Sequence, residues 1–132
     1  MEERKLLEFL SLAEKLKCNT RHSWTSSGRR ESVAEHTYRL MVFAWLVKDE
    51  FPDYDMNRVM ELCLFHDLGE AVTGDIPAFV KTEADEKTEE ESLMEITGML
   101  SEGRKEELEG IFREVLQKET KESRLVQALD EL

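Results

Sequence analysis

The residues best suited to chemistry lie in a short run at mid-chain, FHDLGE, where His66 and Asp67 stand side by side and Glu70 follows. An imidazole and a carboxylate at the end of an apolar stretch are poor packing groups, and burying a lone carboxylate is costly. A divalent cation removes that cost, provided other parts of the fold supply further donors and one position stays open for substrate. Glu70 lies four residues after His66 and three after Asp67, so on a continuing helix the three side chains share one region of surface. A carboxylate there, made less acidic by partial burial, suits handing a proton to a leaving alkoxide or orienting an attacking water. The dipeptide alone carries little weight, because three histidines and seven aspartates in 132 residues give roughly 0.16 such pairs by chance.

These groups need a helical frame. Leu6, Phe9, Leu10, Ala13 and Leu16 recur at three- and four-residue spacings, predicting an amphipathic helix over residues 2–17. Residues 18–31, CNTRHSWTSSGRRE, are polar, carry a Gly and show no periodicity, which reads as a loop. Ser32 with Glu35 matches a capping box, starting a second helix that runs to about Asp49, ahead of Pro52, and holds His36 in its first turns. Asp55 caps a third helix, apolar on several sides as a central helix would be, which His66 and Asp67 close. The segment AVTGDIPAF reads as a helix end passing into a turn. Apolar stripes predict two more helices over 86–100 and 103–117, and ESRLVQALDEL starts a sixth. The expectation is all-α: one domain over residues 1–132, a compact bundle of about six helices.

Composition agrees and narrows the function classes. Two prolines, six glycines and abundant Glu, Lys and Leu favour helices. No run of 18 apolar residues exists and the N-terminus does not read as a signal peptide, so a cytoplasmic protein with no membrane partner is expected. Cys18 and Cys63 form no disulfide framework and are expected as reduced thiols. A net charge of −12 argues against a nucleic-acid polymer as partner. The excess is uneven: residues 83–122 hold 14 acids and 6 bases. Residues 15–39 instead set Lys15, Lys17, Arg21, Arg29, Arg30 and Arg39 against only Glu31 and Glu35. That local basic excess suits a small anion such as a compact phosphate ester.

The order AEHTYR, then FHDLGEAVTGDIP, then LVQALDEL, with RHSW and ESVAEH upstream, resembles the HD-domain hydrolases, specifically their 5′-deoxynucleotidase-like branch. The resemblance covers most of the chain, and HDLGEAVTGDIP is its most specific part. It implies the HD-domain architecture and a metal held by His36, His66, Asp67 and Asp130. It implies Glu70 as the catalytic carboxylate, Asp75 as a second acid near the substrate, and Arg21 and Trp24 as substrate contacts. An Arg fork pairs with phosphate oxygens and a rigid indole walls off a sugar or base. The implied reaction is hydrolysis of a nucleoside 5′-monophosphate, and the implied assembly is a homodimer. Nitrogen and oxygen ligands of this kind favour one divalent ion, Mn²⁺ or Co²⁺ first, with Fe²⁺, Ni²⁺ or Zn²⁺ also suited. His22 is the one histidine left over, so a single metal is expected. The family usually continues in helix beyond the late Asp, whereas this sequence stops two residues after Asp130, so the expectation is either a shortened chain or an Asp130 on a mobile end with weakened metal affinity.

Blander roles stand beside these. His36 could be a core histidine satisfied by a carbonyl, Asp130 a solvated acid, and Glu70 and Asp75 turn or surface acids. Cys63, three residues before His66, is expected to pack as a small apolar group and not to ligate. The ligand set does not by itself fix the ester, so a phosphodiesterase, an alarmone pyrophosphohydrolase and a non-catalytic metal-binding module remain as alternatives.

Overall fold

The segment 18–31 is the main departure from expectation. In the computed structural model, which describes residues 3–73 and 91–132, it folds as a hairpin of β1 (Thr20–Trp24) and β2 (Arg30–Ser32). The strands are antiparallel, with Thr20 opposite Ser32 and Trp24 opposite Arg30, and the register is irregular between. Gly28 closes the turn at φ +84°, a conformation that favours glycine, and Thr25 and Arg29 join across it by a 2.6 Å backbone bond. Polar residues without alternation hide so short a hairpin, because its pairing rests on backbone bonds and not on a buried face.

The other described elements are helical, as expected. Helix α1 (Glu3–Glu14) runs into a 3₁₀ turn at Lys15–Lys17. Helix α2 (Val33–Val47) follows the hairpin, and α3 (Met56–Phe65) is followed by a one-turn α4 (Glu70–Thr73). Residues 91–97 form α5, and α6 (Glu102–Gln117) and α7 (Lys121–Asp130) complete the described elements. The expected caps form. Glu35 N donates to Ser32 Oγ at 3.1 Å while Ser32 N donates to a Glu35 carboxylate oxygen at 3.3 Å. Arg58 N donates to Asp55 Oδ1 at 3.1 Å. Thr120 caps α7 in the same way, a start signal the residue pattern had not singled out.

Helix α3 is central, packing on α2, α6 and α7, with Val59, Leu62 and Cys63 buried completely. Arg58 Nε reaches Glu114 Oε1 at 2.7 Å and pins α3 to α6. Helix α7 docks through Leu125, Val126 and Leu129, all buried, so Asp130 is carried on a packed helix and not on a frayed end. Of the two alternatives for Asp130, the mobile end is thereby corrected. A second correction concerns α1. Its buried residue is Leu12, whereas Leu6 and Leu10 of the expected stripe are 45% and 55% exposed. The helix packs toward α4 and the following 3₁₀ turn, and its first two turns overhang the core.

Candidate metal centre

Helix α3 stops at Phe65, and residues 66–69 continue as tight turns before α4. The bonds from Leu68 N to Phe65 O, Glu70 N to Asp67 O and Ala71 N to Leu68 O, at 3.0–3.2 Å, keep a three-residue spacing through the bend. His66, Asp67 and Glu70 therefore share one region although the helix does not continue. Gly69 permits this bend to lie against α5, because a Cβ there would meet Leu93 Cδ2 at 3.0 Å.

Three elements deliver the donors. His36 comes from the second turn of α2, His66 and Asp67 from the end of α3, and Asp130 from the last residue of α7. One ligand atom from each of the four lies within 4.8 Å of all the others. His36 Nε2 contacts Asp130 Oδ1 directly. His66 Nε2 lies 2.9 Å from Asp67 Oδ2 and 3.4 Å from Asp130 Oδ1.

The tautomer of His66 is set by its other nitrogen. Nδ1 lies 2.7 Å from the Cys63 carbonyl, which can only accept, so Nδ1 carries a proton. Nε2 is then a lone pair turned toward two carboxylates, and it is buried with no hydrogen-bond partner. The 2.9 Å approach to Asp67 is close enough for an ion pair but not aligned for a hydrogen bond. A lone pair and two carboxylate oxygens facing one point suit a cation, and the mixed nitrogen and oxygen set suits a divalent transition ion. The four residues thus fit a metal. Cys63 takes no part: burial first, and then the Asp130 charge, push its thiol up to about 12.

Without a metal a proton takes the cation's place. Burial opposes charge on His66, yet the adjacent Asp130 and Asp67 carboxylates outweigh it and raise His66 to about 10. Burial likewise opposes charge on Asp130, but His36 and His66 hold its carboxyl well below the usual carboxylate range. The raised His66 stabilises the metal-free fold fully below its ordinary 6.5 and progressively less as pH climbs through about 10. The lowered Asp130 stabilises it above its ordinary 3.8, and that contribution is lost as pH falls toward the depressed value. A bound cation replaces the His66 proton. The Tm difference between Co²⁺-loaded and EDTA-treated protein is therefore expected to widen from about pH 6 to about pH 9. A difference that narrows over that range would contradict the cation's occupying the His66 proton position.

Two clefts meet at this cluster. One, of about 810 Å³, is lined by Arg21, Trp24, Glu31, His36, Arg39 and Asp130 among others. The other, of about 460 Å³, is lined by His66, Asp67, Glu70 and Asp130 together with apolar residues of α5, α6 and α7. Arg21 and Trp24 thus share a cleft with the metal donors, and Trp24 is 70% exposed along its wall. Asp75 lies outside the described residues. Arginines of the basic stretch 15–39 make local contacts. Arg29 pairs with Glu35 at 2.8 Å, and Arg30 donates to the Arg21 carbonyl at 3.1 and 3.2 Å.

Two positioning residues were not legible beforehand. Asn19 Nδ2 donates to the Glu70 carbonyl at 2.6 Å and ties the start of the hairpin to α4. Glu31 Oε2 accepts from Arg21 Nη1 at 2.9 Å. Nothing in the polar run marks Asn19, whereas Glu31 is the first residue of ESVAEH and stands beside the Ser32 cap.

A family model described as HD domain matches residues 13–132. The chain belongs to the HD-domain family. The 5′-deoxynucleotidase HDDC2 of Homo sapiens is 36% identical over 132 residues, covering 97% of this chain and 64% of the human one. That of Bos taurus is also 36% identical over 132 residues, covering 97% of this chain and 63% of the bovine one. This HD domain therefore spans somewhat under two-thirds of the length of those relatives. A crystal structure of a predicted metal-dependent phosphohydrolase from Magnetospirillum magnetotacticum MS-1 superposes with a TM-score of 0.87 at 26% identity. It covers 96% of this chain and 65% of that one. The HD-domain bundle expected from the residue pattern is thus the observed fold, and no helix among the described residues is long and apolar enough to cross a membrane.

Proposed function

We propose that this HD domain hydrolyses the phosphomonoester of (deoxy)nucleoside 5′-monophosphates, releasing nucleoside and phosphate, with one divalent ion held by His36, His66, Asp67 and Asp130. One observation carries the reading: the four donors sit between a cleft holding Arg21 and Trp24 and a cleft holding Glu70. The printed names of the human and bovine relatives, 5′-deoxynucleotidases, support the substrate class.

The ion, when bound, would polarise the phosphate and lower the pKa of a water. The side chains do the rest. Trp24 walls the larger cleft and gives a nucleoside a flat apolar face, while the Arg21 guanidinium, once released from His36, would pair with phosphate oxygens. With the nucleoside on that side, the leaving 5′ oxygen faces Arg21 and Trp24. In-line displacement then brings water from the side away from the nucleoside, and the second cleft, which Glu70 lines, is the proposed source of that water. Glu70 therefore orients the water and takes its proton, and the released alkoxide draws a proton from solvent in the larger cleft.

Mn²⁺ or Co²⁺ is the proposed native ion. A cytoplasmic location and a homodimer belong to the same proposal. The exposed Tyr38, Val42, Trp45 and Leu46 at helical spacing on α2 are an apolar face that supports the dimer. The decisive measurement is phosphate release from a panel of nucleoside 5′- and 3′-monophosphates, cyclic dinucleotides and pyrophosphorylated nucleotides, using EDTA-stripped protein reloaded with Mn²⁺ or Co²⁺. Turnover of the 5′-monophosphates alone is expected. Stoichiometric metal binding with no cleavage across the panel would leave a metal-binding module and defeat the nucleotidase reading.

A further inference from the structure

Arg21 does not stand open in the cleft: a single nitrogen, Nη1, donates both to Glu31 Oε2 at 2.9 Å and to His36 Nδ1 at 3.0 Å. The contacts are largely shielded, the Glu31 side chain being 16% and the Arg21 side chain 26% exposed. A guanidinium only donates, so His36 Nδ1 must accept, and the ring's own proton sits on Nε2, where it bonds the Asp130 carboxylate. A histidine that gives its Nε2 lone pair to a cation has the reverse arrangement. Its proton is on Nδ1, which then needs an acceptor. Two donors cannot face one another at 3.0 Å. Arg21 on His36 and a cation on His36 Nε2 are therefore mutually exclusive. The ring stays neutral in both, with its proton relocated from Nε2 to Nδ1. Glu31 is the acceptor on the same Arg21 nitrogen, whose bonds of 2.9 and 3.0 Å put the carboxylate within about 6 Å of that edge.

We propose that Glu31 is a positioning residue that links metal binding to substrate binding through Arg21. In the metal-free site Glu31 and His36 hold the guanidinium. Coordination of His36 releases Arg21 from the ring toward the cleft it lines, and Glu31 accepts a hydrogen bond from His36 Nδ1–H in its place. The metal thus frees the arginine that recognises the phosphate, and an anion that holds Arg21 away from His36 in turn favours the metal. This rests on the proposed metal site, and its test does not depend on turnover.

The experiment is Co²⁺ titration calorimetry on EDTA-stripped wild-type, Arg21→Ala and Glu31→Gln proteins, with and without inorganic phosphate, each checked for helix content and Tm. Arg21→Ala is expected to tighten Co²⁺ binding without phosphate, by up to about tenfold, because the competing donor is gone. Glu31→Gln is expected to weaken it by about tenfold, the lower range for loss of an outer carboxylate. Phosphate is expected to raise Co²⁺ affinity less in Arg21→Ala than in wild type. A purely structural hairpin role would shift both variants toward weaker binding. That result, unchanged affinity in both, or an unchanged phosphate effect in Arg21→Ala overturns the proposal. Metal binding with the expected opposite signs but no nucleotide hydrolysis would defeat only the nucleotidase reading.

Discussion

Glu70→Gln protein is expected to bind Mn²⁺ or Co²⁺ with nearly wild-type affinity and to lose hydrolysis by about 10²–10⁴-fold, the usual worth of a positioned general base. The physical reason is its place. Glu70 lies outside the cluster of His36, His66, Asp67 and Asp130, yet lines the same small cleft as three of them, whereas Arg21 and Trp24 line the larger one. The amide keeps the size of the side chain, and the backbone bonds from Glu70 N to Asp67 O and from Asn19 to the Glu70 carbonyl do not involve it. Metal stoichiometry and kcat measured on the same preparation separate the outcomes. Loss of metal together with turnover would move Glu70 into the ligand set, and retained turnover would remove it from the chemistry.

The second large effect is expected at Asp130. This carboxylate contacts His36 and lies 3.4 Å from His66, so one side chain on α7 joins donors from α2 and α3. Asp130→Asn preserves shape and leaves an amide oxygen to accept from His36, but removes a negative charge from a partly buried cation site. Co²⁺ affinity should fall by at least the roughly 10–100-fold that loss of a mere outer partner costs, with phosphate release at fixed metal falling in step. In the metal-free variant the His66 imidazole, losing one of the two carboxylates that raise it, should titrate below about 10. An NMR titration of its ring protons checks that shift independently. Wild-type affinity for Co²⁺ in the Asn variant would place Asp130 outside the coordination sphere and return it to the role of a helix-end acid.

Legibility differed by element for physical reasons. The α2 and α3 starts were readable because Ser32 with Glu35 and Asp55 act on amides three residues away, within the reach of a local pattern. The α1 face was misread at Leu6 and Leu10, since periodicity reports which residues share a stripe and not how far along the helix a neighbour extends. The hairpin at 20–32 was missed because its bonds are between backbones and its side chains are charged. The site residues in HDLGE and ESVAEH were recognisable as a pattern, but their partners Asn19 and Glu31 were not, because each acts on a group reached only by folding.

Read alone, the amino-acid string settles the helical class, the caps of α2 and α3, the acidic excess and the candidate donors, because these depend on residue type and on neighbours a turn or less away. It leaves open whether Asp130, 94 residues from His36, comes to the same point. Only packing of α7 on α3 through Leu125, Val126 and Leu129 decides that. Packing also determines that Arg21 lines one cleft at the metal donors and Glu70 another. Such relations between distant segments arise from burial of apolar faces, and no local spacing encodes them.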